Sequence, residues 1–218
     1  LEAVFQTFGP VKALNMIAEG GSGGKQRHKG YGFIEYETPD AAQLAIDVMN
    51  GAELGGRPIK AGRPTNYPTE LPPGVPPPLP NRIYVANIHE LVQEEELQRV
   101  FAAFGPLCHC RLIPDPLLPG KHRGYAYVEF GDGGAGGEEG AMAAIQALNG
   151  FELAGRILRV GRTVVGGPLP AGMGERQARR RQEEQARGVP QAVLRAAEAI
   201  NATLTSKNTQ TPMTKPPH

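Results

Sequence analysis

Apolar residues fall on two alternating periods along this chain, and the alternation repeats once. The more complete pattern begins at Arg82-Ile-Tyr-Val-Ala-Asn87, a short β-branched and aromatic run that predicts a strand. From Glu94 to Phe104 the apolar residues Leu97, Val100, Phe101 and Phe104 recur at helical spacing, and Gly105-Pro106 stops the helix. Leu107 to Ile113 predicts a second strand and Gly124–Phe130 a third. Glu138 to Leu148 reads as a helix closed by Asn149-Gly150, and Arg156–Val160 as a fourth strand. The order is β-α-β-β-α-β.

The same order runs through the first third of the chain, starting one element late. Leu1–Phe8 predicts helix one, Val11–Ile17 strand two and Gly30–Tyr36 strand three. Helix two runs to Asn50 with Asp40 as its expected N-cap, and Pro58–Gly62 is strand four. Phe5-Gln-Thr-Phe-Gly-Pro-Val11 recurs as Phe101-Ala-Ala-Phe-Gly-Pro-Leu107, and Leu54-Gly-Gly-Arg57 as Leu153-Ala-Gly-Arg156. The offsets of 94 to 99 residues fit a duplicated domain; a solenoid has shorter and more numerous repeats. The expected fold class is α+β: a ferredoxin-like βαββαβ sandwich in two copies, with two helices on one face of a four-stranded antiparallel sheet. The first copy lacks strand one and is expected to be unstable as an isolated domain unless the missing residues exist in the native protein. A chain that opens on Leu1 with an immediately helical pattern and no secretory signal is expected to be a fragment or a truncated gene model.

Four segments follow: a first copy over 1–64, a linker over 65–80, a second copy over 81–164 and a low-complexity tail over 165–218. Pro64 to Pro80 holds eight prolines in 17 residues, which favours an extended spacer. In the tail, a short helix is expected over 190–204.

Composition narrows the chemistry. A formal net charge of +1 excludes a globally basic nucleic-acid binder, so any such binding must come from local patches. No apolar stretch is long enough for a transmembrane helix, and no membrane partner is expected. Cys108 and Cys110 do not make a four-ligand metal site, and His28, His89 and His122 read as loop residues. No nucleophile–base pair or phosphate-cradling loop is apparent; the Gly20–Gly24 run lies between two strands with no helix following. Neither an enzyme, a metal nor a cofactor is expected.

The third strands carry the informative pattern. Lys29-Gly-Tyr-Gly-Phe-Ile-Glu-Tyr36 and Arg123-Gly-Tyr-Ala-Tyr-Val-Glu-Phe130 resemble the octamer of the RNA recognition motif, with Tyr replacing Phe at the fifth position of the second. Strand alternation puts Ile34 and Tyr36 on one face, under the helices, and Tyr31 and Phe33 on the other. Two helices cover only one face of such a sheet, so Tyr31 and Phe33 in the first copy, and Tyr84, Tyr125 and Tyr127 in the second, are expected to form open platforms for unstacked bases. Lys29 and Arg123 stand where a cation can meet phosphate. Lys60, Arg63, Arg159 and Arg162, on or just after the fourth strands, could follow the backbone.

The resemblance narrows to the poly-U-binding splicing factor family. Ala41-Ala-Gln-Leu-Ala45, Leu54-Gly-Gly-Arg57 and Gly62-Arg-Pro-Thr-Asn66 look like that family's first motif, and Asn81–Ala86, Val100–Gly105 and Gly120–Tyr125 like its second. The resemblance covers residues 1–163. It implies single-stranded RNA rich in uridine as the partner, a role in pre-mRNA splicing beside factors at the 3′ splice site, and a nuclear location. The alternatives are a protein-interaction module of the splicing machinery, or single-stranded DNA binding in transcriptional repression. The resemblance does not extend to the family's third domain, and the glycine-rich loop Asp132–Gly137 reads as an insertion.

Overall fold

The computed structural model describes residues 1–19, 28–67, 74–131, 135–176 and 178–179. The tail helix expected over 190–204, the Gly20–Gly24 run and part of the linker and of the Asp132–Gly137 loop lie outside the described residues. Residues Leu1–Gly174 form one compact unit.

The second copy carries the complete sandwich. Its strands are β5 (Arg82–Ala86), β6 (Leu107–Pro114), β7 (His122–Phe130) and β10 (Arg159–Arg162), in the antiparallel order β10-β5-β7-β6. Helices α3 (Glu94–Phe101) and α4 (Ala135–Leu148) lie on one face. Ile83, Val85, Leu97, Phe101, Leu112, Val128, Phe130, Leu158 and Val160 are fully or almost fully buried between sheet and helices. A capping box starts α3: the Gln93 N–H donates to the Glu96 carboxylate across 2.9 Å. Arg156–Ile157 (β9) turns back on Glu152–Leu153 (β8), so the predicted fourth strand splits and its sheet-forming part begins at Arg159.

The first copy is partial. It comprises α1 (Glu2–Phe5) with a 3₁₀ turn over Gln6–Phe8, the hairpin β1 (Val11–Ala18) and β2 (His28–Tyr36), and α2 (Pro39–Met49). The edge of β2 away from β1 carries no partner strand among the described residues. The predicted fourth strand does not join this hairpin. Arg57–Pro58 (β4) pairs only with Glu53–Leu54 (β3), and Ile59–Arg63 is irregular. In the second copy the fourth strand pairs with the first, β10 with β5; among the described residues no strand stands in that place beside β2.

The two copies nevertheless repeat local detail. Asn50 Oδ1 accepts from the Ala61 N–H (3.3 Å), and Asn149 Oδ1 accepts from the Val160 N–H (3.2 Å). The N-cap of α2 differs from expectation: the Thr38 hydroxyl accepts from the Ala41 N–H at 3.3 Å. Proline favours the first helical position, so Pro39 moves the cap back to Thr38 and leaves Asp40 inside the first turn.

Candidate nucleic-acid interface

The octamer strands place their rings as strand alternation requires. On β2, Tyr31 and Phe33 stand T-shaped with centroids 6.4 Å apart, and each is 52% exposed. On β7, Tyr125 and Tyr127 repeat that geometry at 6.2 Å and 84°. Tyr84 on β5 lies opposite Tyr127, its ring 5.5 Å from that of Tyr127 and 5.6 Å from that of Tyr125. The entrances to both strands also repeat. Gly30 and Gly124 adopt φ of 85° and 76°, a region glycine enters without strain, and each N–H donates back to a histidine Nδ1, of His28 and His122 respectively. These histidines therefore open strands and are not loop residues. His122 is buried, and that burial pushes its imidazole below the ordinary value.

The second copy's rings do not face water, contrary to expectation. Tyr84 is 0% exposed, Tyr125 6% and Tyr127 9%. They share one apolar cluster with Phe5, Phe8, Ala41, Leu44, Ala45 and Met49, the helical face of the first copy. The open face of the second copy's sheet is therefore covered by the first copy's helices. Shape follows function at two glycines. A Cβ on Gly161, on β10, would lie 2.7 Å from Leu44 Cδ1, and one on Gly9 would lie 2.4 Å from the Tyr84 hydroxyl. At Gly9 the Ala41 Cβ would also lie within 2.7 Å, so the approach needs glycine; at Gly161 a side chain would require the end of Leu44 to move.

Polar groups fix the contact. The Tyr127 hydroxyl donates to Asp40 Oδ2 (2.8 Å), and the Val164 N–H donates to Asp40 Oδ1 (2.7 Å). The Tyr84 hydroxyl donates to the Phe8 carbonyl (3.1 Å). Burial raises all three tyrosine hydroxyls above their ordinary value. It also raises the Asp40 carboxyl, which the Val164 amide, the Tyr127 hydroxyl and Arg82 pull back down. Beyond β10 the chain crosses the lower part of the same face. Arg82, paired with Glu129 at 3.0 Å, donates to the Gly167 carbonyl (2.8 Å), and Arg111 donates to the carbonyls of Leu169 and Pro170, each at 3.1 Å.

The expected cations separate into two groups. Arg123 forms a bidentate pair with Glu37, one arm at 2.6 Å, and Arg159 lies 5.4 Å over the Phe8 ring. Both belong to the contact between the copies and not to an open groove. Arg63 donates to Gln43 and stacks on Tyr67, and Arg162 faces Glu138 at 3.8 Å. Lys29 and Lys60 are exposed. Sequence reasoning missed Glu37, Asp40, Leu44 and Gly161. One signal was available: α2 is apolar at Ala41, Leu44 and Val48 as well as at Ala45, Ile46 and Met49, a wider stripe than one sheet covers.

Fold and octamers together define the class: this chain belongs to the RNA recognition motif family, whose profile matches residues 1–60 and 83–159. Within it, the chain is similar to proteins described as poly(U)-binding splicing factors. It is 42% identical over 168 residues to hfp of Drosophila melanogaster, spanning 75% of this chain and 25% of that protein. To PUF60 of Homo sapiens it is 38% identical over 174 residues, 78% of this chain and 29% of that protein. The chain thus spans roughly a quarter to a third of the length of these curated relatives.

Proposed function

We propose that this chain binds single-stranded, uridine-rich RNA and acts in pre-mRNA splicing in the nucleus, beside factors at the 3′ splice site. The observation that carries the reading is the Tyr31–Phe33 pair, half-exposed on an octamer strand with exposed Lys29 at its entrance. Flat rings on an uncovered sheet stack with splayed bases, each worth roughly 1–3 kcal/mol by alanine substitution. Lys29 and Lys60 supply the phosphate contacts on this copy. Tyr84, Tyr125, Tyr127, Arg123 and Arg159 form the second copy's binding set, available once the contact with the first copy is relieved; Arg63 and Arg162 lie at the margins. The uridine preference and the splicing role rest on similarity to relatives described as poly(U)-binding splicing factors.

Titration with uridine, cytidine and adenosine nonamers at two salt concentrations tests the reading. Uridine is expected to bind tightest, with a salt slope of about 0.7 per neutralised phosphate. Equal and salt-insensitive binding of all three, or none, overturns it.

A further inference from the structure

We infer that the helical face of the first motif and RNA compete for one surface, so that this chain carries a self-closing latch over the base platform of its second motif. The inference rests on the RNA-binding reading above and specifies how that site is regulated.

The argument begins with exclusion of volume. A base stacks by lying on the face of a ring, and the Tyr84, Tyr125 and Tyr127 rings are packed among Phe5, Phe8, Ala41, Leu44 and Met49. The end of Leu44 already lies 2.7 Å from where a Cβ on Gly161 would stand, so a base enters there only if Leu44 leaves. The latch also takes over the polar handles a nucleic acid would use. Asp40 accepts the Tyr127 hydroxyl, the Phe8 carbonyl accepts that of Tyr84, and Glu37 holds Arg123, the cation of the second octamer. Glu37 and Asp40 present carboxylates where RNA would present phosphate and base oxygens. The first motif's own pair, Tyr31 and Phe33, remains open in the same state. One chain therefore offers one exposed platform and one covered platform.

The energetics follow from population shift. RNA binds the second platform only in the fraction of molecules whose latch is open, so apparent affinity there falls by that fraction. A long oligonucleotide that first occupies Tyr31 and Phe33 raises its effective concentration at the second platform and favours opening. A short one fills the first platform alone.

A reversible lock tests this in the full chain. A Cβ on Gly161 would lie 3.9 Å from the Leu44 Cβ, within the span a disulfide needs. The variant Leu44→Cys/Gly161→Cys is placed in a Cys108→Ser, Tyr31→Ala/Phe33→Ala background, so that uridine nonamer binding reports on the second platform. Oxidised with glutathione disulfide, the variant is expected to bind at least tenfold more weakly than after reduction. Equal affinity in the two redox states, or a cysteine pair that does not join, overturns the latch. The converse variant Leu44→Glu, in the same ring-deleted background without the cysteine pair, sets a charge against the apolar cluster and is expected to bind more tightly than its parent; binding no tighter also overturns it. Failure of the RNA reading is seen separately, as absence of uridine binding by the unsubstituted chain.

Discussion

The Tyr127 hydroxyl donates to the Asp40 carboxylate across 2.8 Å, joining the octamer strand of one copy to the first turn of α2 in the other. Asp40 is fully buried and also receives the Val164 N–H, so one side chain ties the first motif to two separate points of the second.

That carboxyl should make stability depend on pH. Burial raises it above its ordinary value, so the fold binds its proton more tightly than the unfolded chain does. Its contribution is fully present below the ordinary carboxylate value of 3.8 and is lost as pH rises through the raised one. Urea midpoints measured from pH 4 to 7 should therefore show a difference between the protein and Asp40→Asn that changes across this window. Glu94 and His122 titrate in both proteins and cancel in the comparison. A constant difference would show that Asp40 is not the group responsible.

On the exposed platform, Tyr31→Ala with Phe33→Ala should weaken uridine nonamer binding by more than tenfold, since two stacked bases at about 1–3 kcal/mol each are lost. Thermal stability should change little, because both rings are half in water. Fluorescence anisotropy with labelled oligomer, beside a melting curve, checks both halves.

The two thiols should react very differently. Cys108 is exposed, whereas Cys110 is buried and its thiol is pushed up to about 12, chiefly by burial and further by nearby Glu94. A thiol reagent at neutral pH is expected to label one cysteine in the folded protein and two in urea. Mass spectrometry of the labelled peptides reads out the difference.

Phe101 is fully buried in the second motif and packs edge-on against Phe130 at 6.5 Å. Phe101→Ala should cost about 3–5 kcal/mol in equilibrium urea unfolding, for lost burial and the cavity left behind. A cost below 1 kcal/mol would mean that α3 is not seated as described.

Local rules made much of this molecule legible from sequence. Strand period placed Tyr31, Phe33, Tyr125 and Tyr127 on one face each, and the repeated ring geometry follows from it. The Gly105-Pro106 stop and the Asn149-Gly150 turn ended their helices close to where expected, because these signals act within a few residues. What covers a face is a non-local matter. Tyr127 obeys the alternation rule and is still buried, since the rule assigns a side and does not say what lies on it. Asp40 misled for a related reason: a residue type suited to capping was read as a cap, while Pro39 and a tertiary donor 87 residues away decided its place.

The carbonyls of Gly167, Leu169 and Pro170 are gripped by the guanidinium groups of Arg82 and Arg111, so the backbone just past β10 is anchored at three points. Proteases cut most readily where a stretch of chain can peel away from its support. Arg111→Ala is expected to hasten nicking within residues 167–172, and the fragment masses would say so.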